Sequence, residues 1–371
     1  MLIERSAKAQ TAYKKGCDSL KRVGYLYPKI YDTDNLKLAH KHARKGKGWY
    51  KEVVQIDANL QVYIEKLQEL LINKTYNTSE YESFIKKDYK KEREIFKLPY
   101  FPDRIAQWAL LQVIEPYLIN TIITDTYSAI PKRGVHLALK RIKRAIRKDP
   151  EGTKYCFKMD ITKYYPSIRH DLLKEKYRKL FKDADLLWLI DEIVDSTDED
   201  IGVPIGNYMS QWSGNFFLSD FDHWCKEKKK LKYYYRYMDD VVILANTKEE
   251  LHQLQKEIEE YLSSQGLKMK KNYQVFPVKD RGIDFLGYRI FPDYVLLRKS
   301  TAMNLKRRVR EIWNTIDTKG QMTFSQWCSI NSYKGWLMYC DSYRLSQKYI
   351  VPLEPYAEKF YKEVILNGKL N

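Results

Sequence analysis

Tyr237-Met238-Asp239-Asp240 lies between two runs built for burial, LKYYYRY and VVILA. Adjacent acids at the tip of such a hairpin work against stability, because like charges repel and burial disfavours both ionised forms. A divalent cation resolves the conflict, and hard Mg²⁺ suits carboxylate oxygen while keeping water and substrate phosphate in its shell. A further acid must arrive from another strand end. Asp160 does so, closing the strand-like KYCFKMD just ahead of Ile161. Carboxylates on separate strands can hold two ions roughly 3.5–4 Å apart, one activating an attacking 3′-hydroxyl and one stabilising a leaving pyrophosphate. The chemistry implied is nucleotidyl transfer.

Those acids meet only if particular elements place them. LKYYYRY and VVILA read as two short strands joined by a tight turn. Between Asp160 and that hairpin, one helix is expected from His170 toward Phe181. Another is expected after GVPIGNYMSQW, through about Cys225, with the acidic loop DSTDED, Asp195 to Asp200, ahead of it. Lys248 to Ser264 places Leu251, Leu254, Ile258 and Leu262 on one face, and Gly266 stops it. Strand, helices, hairpin, helix and strand in this order predict a ferredoxin-like split βαβ core of the α+β class. Upstream, helical spacing covers Tyr50 to Leu71, Ile105 to Leu118 after Pro102 and Asp103, and Val135 to Arg147. Downstream, Ser300 and Thr301 can cap a helix that turns Leu305, Val309, Ile312, Trp313 and Ile316 inward, and a second helix is expected over Phe324 to Tyr343.

Composition narrows the partner. The chain of 371 residues carries a formal net charge of +18, and residues 1 to 51 hold 13 Lys or Arg against 4 Asp or Glu, half of that excess. The stretch Lys37 to Tyr50, KLAHKHARKGKGWY, reads as a solvated basic arm for a phosphate backbone. The 31 tyrosines interleave with cations in a way that suits stacking on unpaired bases. Five scattered cysteines without a CxxC pair indicate neither a zinc site nor a disulfide framework, and fit a reducing cytosol. Residues 1 to 20 lack an apolar signal segment, and no apolar run is long enough to span a membrane.

The segment FKMDITKYYPSI around Asp160 resembles motif A of reverse transcriptases, and Tyr237 to Asp240 resembles their motif C. The resemblance implies a right-hand polymerase with fingers, ferredoxin-like palm and helical thumb. It implies an RNA-directed DNA polymerase using two Mg²⁺ ions, with Asp160, Asp239 and the Ile161 carbonyl as ligands and Asp240 as the less direct acid. Tyr165 falls where the family places the aromatic that excludes a 2′-hydroxyl; taken alone it reads as a core residue. FPDRIAQWALLQ looks like a fingers motif, placing Arg104 near template or substrate. YSAIPKRGVHLAL looks like the next, making Lys132 and Arg133 candidates for the triphosphate. GLKMKKNY resembles motif D, whose lysine protonates pyrophosphate; Lys270 and Lys271 both remain open for that role, Lys271 also as a dNTP contact. FLGY, with Phe285, Leu286 and Gly287, resembles the primer grip.

GVPIGNYMSQ stands where motif B belongs, and its Ile205-Gly206-Asn207-Tyr208-Met209-Ser210-Gln211 matches the variant of diversity-generating retroelement enzymes. By that resemblance Gly206 lets the backbone approach the nascent base pair, Gln211 faces the dNTP, and Ile205, Gly206 and Asn207 bear on template and fidelity. The family misincorporates opposite template adenine, copies a template RNA into cDNA for diversification of a target gene, and works with a small basic pentameric accessory protein. A cytoplasmic, bacterial or phage-encoded protein is expected, with a basic extension and start of fingers over 1–95, fingers and palm over 96–295 and a thumb over 296–371. Two other readings stay open. One is a different bacterial reverse transcriptase, including defence-associated enzymes that extend without a template. The other is a non-catalytic RNA-binding protein on the same scaffold.

Overall fold

A computed structural model describes residues 22–88, 91–197 and 199–366. The part of the basic N-terminal stretch before residue 22 lies outside the described residues, as does Asp198 of the acidic loop. The chain divides into two compact units. The first comprises the described residues up to Arg133, Met159–Val241 and Gln255–Tyr273; the second comprises Gly134–Lys158, Val242–Leu254 and the chain from Gln274. These breaks do not coincide with the expected boundaries after residues 95 and 295.

In the first unit, α1 (Thr33–Ala43) opens on Asp32, whose carboxylate accepts from the Asp34 and Asn35 amides. Half of the expected basic arm is therefore a packed helix: Leu36, Ala39, His40 and Ala43 are buried. The periodic stretch from Tyr50 is two helices, α2 (Lys51–Ala58) and α3 (Leu60–Ile72), because Asn59 between them takes a non-helical conformation. The hairpin β1 (Glu82–Asp88) and β2 (Lys91–Lys97) pairs Glu82 with Lys97. It was not anticipated, since charges fill most of its alternate positions. Helix α4 (Ile105–Thr121) is apolar nearly all round and packs against α1.

The second unit opens with α5 (Val135–Lys148), which leads to β3 (Tyr155–Met159). The first unit resumes with α6 (His170–Leu180), α7 (Ala184–Val194) and α8 (Tyr208–Phe217). Strands β4 (Tyr233–Tyr237) and β5 (Asp240–Ala245) form the anticipated hairpin, α9 (Lys248–Ser264) follows, and β6 is Gln274–Pro277. The sheet order is β4-β5-β3-β6, so the strand opening on Asp240 neighbours the strand that ends before Asp160. A three-stranded meander, β7 (Ile283–Phe285), β8 (Tyr288–Ile290) and β9 (Val295–Leu297), precedes the helical C-terminal lobe.

In that lobe α10 (Lys299–Lys319) buries Leu305, Val309, Ile312 and Ile316 as expected. Its N-cap is Arg298, without a side-chain cap, in place of Ser300 or Thr301. Helix α11 (Phe324–Leu337) stops short of Tyr343 and opens on a reciprocal Thr323–Gln326 capping box. The mixed helix and strand content is that of the α+β class. Among the described residues no helix is long and apolar enough to cross a membrane.

Candidate active site

The turn carrying the acids is held from below. Met238 has φ +53°, a left-handed conformation that costs an L-residue roughly 1–2 kcal/mol. Its carbonyl accepts a 3.0 Å hydrogen bond from Nη1 of Arg236, a side chain with no solvent exposure. Arg236 is locked in turn by Asp222, also fully buried, through Nε–Oδ1 at 2.6 Å and Nη2–Oδ2 at 2.5 Å. Tyr234 and Thr126 donate to the same carboxylate at 2.5 and 3.0 Å. Asn215 of α8 accepts from the guanidinium and donates to the Ser128 carbonyl. Arg236 and Asp222 were not among the candidate residues of the sequence.

Asp160 and Asp239 converge, and their electrostatics show it. Burial first, then the Asp160 charge and hydrogen bonding with Asp160, push the Asp239 carboxyl up to about 7, with Lys270 opposing. Asp160 is fixed by its own backbone, whose carbonyl accepts from the Lys270 amide at 2.9 Å, while the Thr162 amide donates to Lys268 O at 2.8 Å. Ile161 is buried in the same bridge, opposite Met269. The Lys270 ammonium lies 2.7 Å from Asp160 Oδ1, yet that buried oxygen has no donor aligned for a hydrogen bond, so the contact acts as a charge pair alone. Of the two motif D lysines, Lys270 reaches the acids and Lys271 faces solvent.

A buried acid driven toward protonation by a second acid is a site short of positive charge. Asp160 and Asp239 therefore fit a divalent cation of the hard, oxygen-seeking kind, which takes one or two carboxylates and completes its shell with water and phosphate. Among the described residues no group of three or more His, Cys, Asp and Glu forms a metal cluster. Asp240 is the first residue of β5 and is half-buried, while Asp239 belongs to the turn before it.

Tyr165 sits beside the acid turn, its hydroxyl 3.3 Å from Met238 Sδ, and burial together with the Asp239 charge drives its phenol strongly upward. Tyr164 is the core residue of the two, fully buried and donating to the Gly214 carbonyl at 2.5 Å. The motif B loop is clamped to β2: the Phe96 amide donates to Ile205 O at 2.8 Å. Gly206 has φ +121°, and a Cβ there would stand 2.3 Å from Phe96 O. In this structure the close approach at Gly206 is to that strand. Asn207 caps α8 by accepting from the Met209 amide, and its Nδ2 donates to the Tyr81 hydroxyl at 3.1 Å. Gln211 is exposed, while Ile205 is half-buried.

Arg104 precedes α4 with its guanidinium partly buried and Nε without a hydrogen-bond partner. Lys132 is exposed in a left-handed turn, and Arg133 donates to the Ile123 carbonyl at 2.7 Å. In the second unit, the Phe285-Leu286-Gly287 turn has φ +51° at Leu286 and +84° at Gly287. A Cβ on Gly287 would meet the Trp336 ring at 2.4 Å, and Gly287 O accepts from the Arg298 amide at 2.8 Å.

Protein YkfC of Escherichia coli (strain K12) is 24% identical over 278 residues, covering 63% of this chain and 73% of that protein. Apo telomerase from Candida tropicalis, truncated from its C-terminal domain, superposes with a TM-score of 0.46 at 13% identity, over 63% of this chain and 59% of its own. Candida albicans telomerase, in complex with a TWJ fragment of telomeric RNA, gives 0.45 at 13% identity, over 67% and 55%. The chain thus spans less than two thirds of each telomerase chain. Residues 85–290, more than half of the sequence, match the family of reverse transcriptases (RNA-dependent DNA polymerases), and the chain belongs to it.

Proposed function

We propose that this protein is an RNA-directed DNA polymerase that copies a template RNA into cDNA, of the diversity-generating retroelement type. The observation that carries the reading is the convergence of Asp160 and Asp239 beside a tethered, left-handed turn, with Lys270 against the pair. Asp160 and Asp239, with the Ile161 carbonyl, would hold Mg²⁺. When bound, the metal lowers the charge cost of the attacking 3′-hydroxyl and of the leaving pyrophosphate. The chain's own residues do the rest. Tyr165 presents a rigid ring whose edge excludes a 2′-hydroxyl, and Lys270 is placed to give a proton to departing phosphate once substrate displaces it from Asp160.

The finer assignment rests on Ile205 to Gln211, which resembles the motif B of retroelement enzymes that err opposite template adenine. Ile205 brings an apolar side chain where most relatives have a hydrogen-bonding glutamine, which weakens scrutiny of the base pair. A small basic accessory protein would be its partner. The test is extension of a primed RNA template, followed by sequencing of the cDNA. The wild-type chain should incorporate dNTPs with changes concentrated at template adenines. Asp239→Ala should abolish incorporation while still binding RNA. Full synthesis by the variant would refute the metal assignment, and an even error spectrum would remove the retroelement assignment alone.

A further inference from the structure

Beyond the acid pair, the first unit holds a second concentration of unsatisfied polar groups. Where the chain leaves α1, His42, Ala43, Lys45 and Lys47 line a cavity of about 350 Å³ together with Arg104 and Trp108. Three cations converge there, and among the described residues no carboxylate bonds to any of them. Of the nearby acids, Asp57 pairs with His40 and Arg44, Glu52 accepts from the Phe101 amide, and Glu115 is half-buried near His42, with burial raising its carboxyl and His42 opposing. Burial and the neighbouring Arg104 charge lower Lys47, and burial lowers Arg104. Two buried donors, Arg104 Nε and Trp108 Nε1, have no hydrogen-bond partner. Folding gains nothing from clustering like charges around orphaned donors, so the arrangement calls for an anion with several acceptor oxygens.

The surroundings say which anion. Two residues past Lys47, Trp49 is 78% exposed with its ring 4.4 Å from that of Tyr50. Trp108 is stacked at 4.2 Å on Tyr208, the first residue of α8, which ties the cavity wall to the motif B loop. Bare aromatic faces beside cations suit a strand whose bases are unpaired and free to stack, which a duplex does not offer.

We propose that this cavity binds a backbone phosphate of single-stranded RNA through Lys45, Lys47, Arg104 and the Trp108 indole N–H, with Trp49 stacking a neighbouring base. The inference deepens the polymerase reading, on which it relies for the choice of RNA as the strand.

The test is fluorescence anisotropy of a labelled single-stranded RNA oligonucleotide titrated with the full chain at several salt concentrations. Wild type is compared with Lys47→Gln, Arg104→Gln and Trp49→Ala, each checked by thermal melting. Removing either cation should flatten the slope of log affinity against log salt by about 0.7, the value for one single-strand phosphate contact. Trp49→Ala should weaken binding by about fivefold or more and leave the slope unchanged. Slopes equal to wild type in both charge variants would overturn the assignment. So would a raised KM for dNTP in Lys47→Gln with RNA affinity intact, which would give the cavity to a triphosphate. Lys47 is on a surface turn, so its variant decides the matter even where Arg104→Gln does not fold. Binding needs no catalysis. A chain that grips RNA here but never incorporates nucleotide would defeat the polymerase reading and leave this one standing.

Discussion

Separating the Arg236–Asp222 pair from the turn it supports should uncouple stability from activity. Both side chains are fully buried and joined bidentately. Arg236→Leu alone strands a buried carboxylate and should cost about 3–5 kcal/mol, a large share of an ordinary domain's stability. Replacing both, Arg236→Leu with Asp222→Leu, removes the uncompensated charge. Stability should then recover substantially, less about 1–3 kcal/mol for each of the Tyr234 and Thr126 hydroxyls that loses its acceptor. The double variant still lacks the charged donor to the Met238 carbonyl. That bond contributes about 1.5–3 kcal/mol and opposes the strain of a left-handed methionine. If the loss falls on the placement of Asp239, turnover drops about 10- to 100-fold and half-saturation by Mg²⁺ rises, while RNA affinity holds. The assay pairs thermal melting with single-turnover extension across a Mg²⁺ series. A double variant that melts near wild type and also extends at the wild-type rate would show that the network only holds the core together.

Three further outcomes follow from the same geometry. The folded state holds the Asp239 proton up to about pH 7, above the usual carboxylate value of about 4, so metal-free protein should lose stability relative to Asp239→Asn as pH rises through that window. The loss is about 4 kcal/mol at most, and the Mg²⁺-induced rise in Tm should be larger at pH 8 than at pH 6; equal rises would contradict the site. Gly206→Ala should cost about 1–3 kcal/mol and raise the KM for dNTP, because its methyl would meet Phe96 O at φ +121°, and melting with steady-state kinetics reads both. Tyr165→Ala should admit ribonucleotides at least tenfold more readily in a competition assay, and unchanged sugar selectivity would return Tyr165 to a packing role.

The acid hairpin was legible because its information is local: two adjacent acids between apolar runs mark the turn that joins β4 to β5. The N-terminal helix was obscured for the opposite reason. His40 counts as polar in a sequence, yet it is buried between Asp57 and Tyr100, so a packed helix looked like a basic arm. Lys270 and Lys271 could not be told apart because they differ only in which side of the chain they leave, and that depends on the bridge of Ile161 with Met269. Arg236 and Asp222 are the instructive pair. Nothing in their spacing joins them, since the helical stretch Trp224–Lys228, a turn and half a strand intervene. One signal was available: in LKYYYRY, Arg236 shares strand parity with Tyr234, which like it is fully buried. An arginine on the inward face of an apolar strand, two residues before a strained acidic turn, has no surface to serve. Burial then demands a carboxylate partner, and its remaining donors reach the backbone of the turn, so the charge tethers the acids.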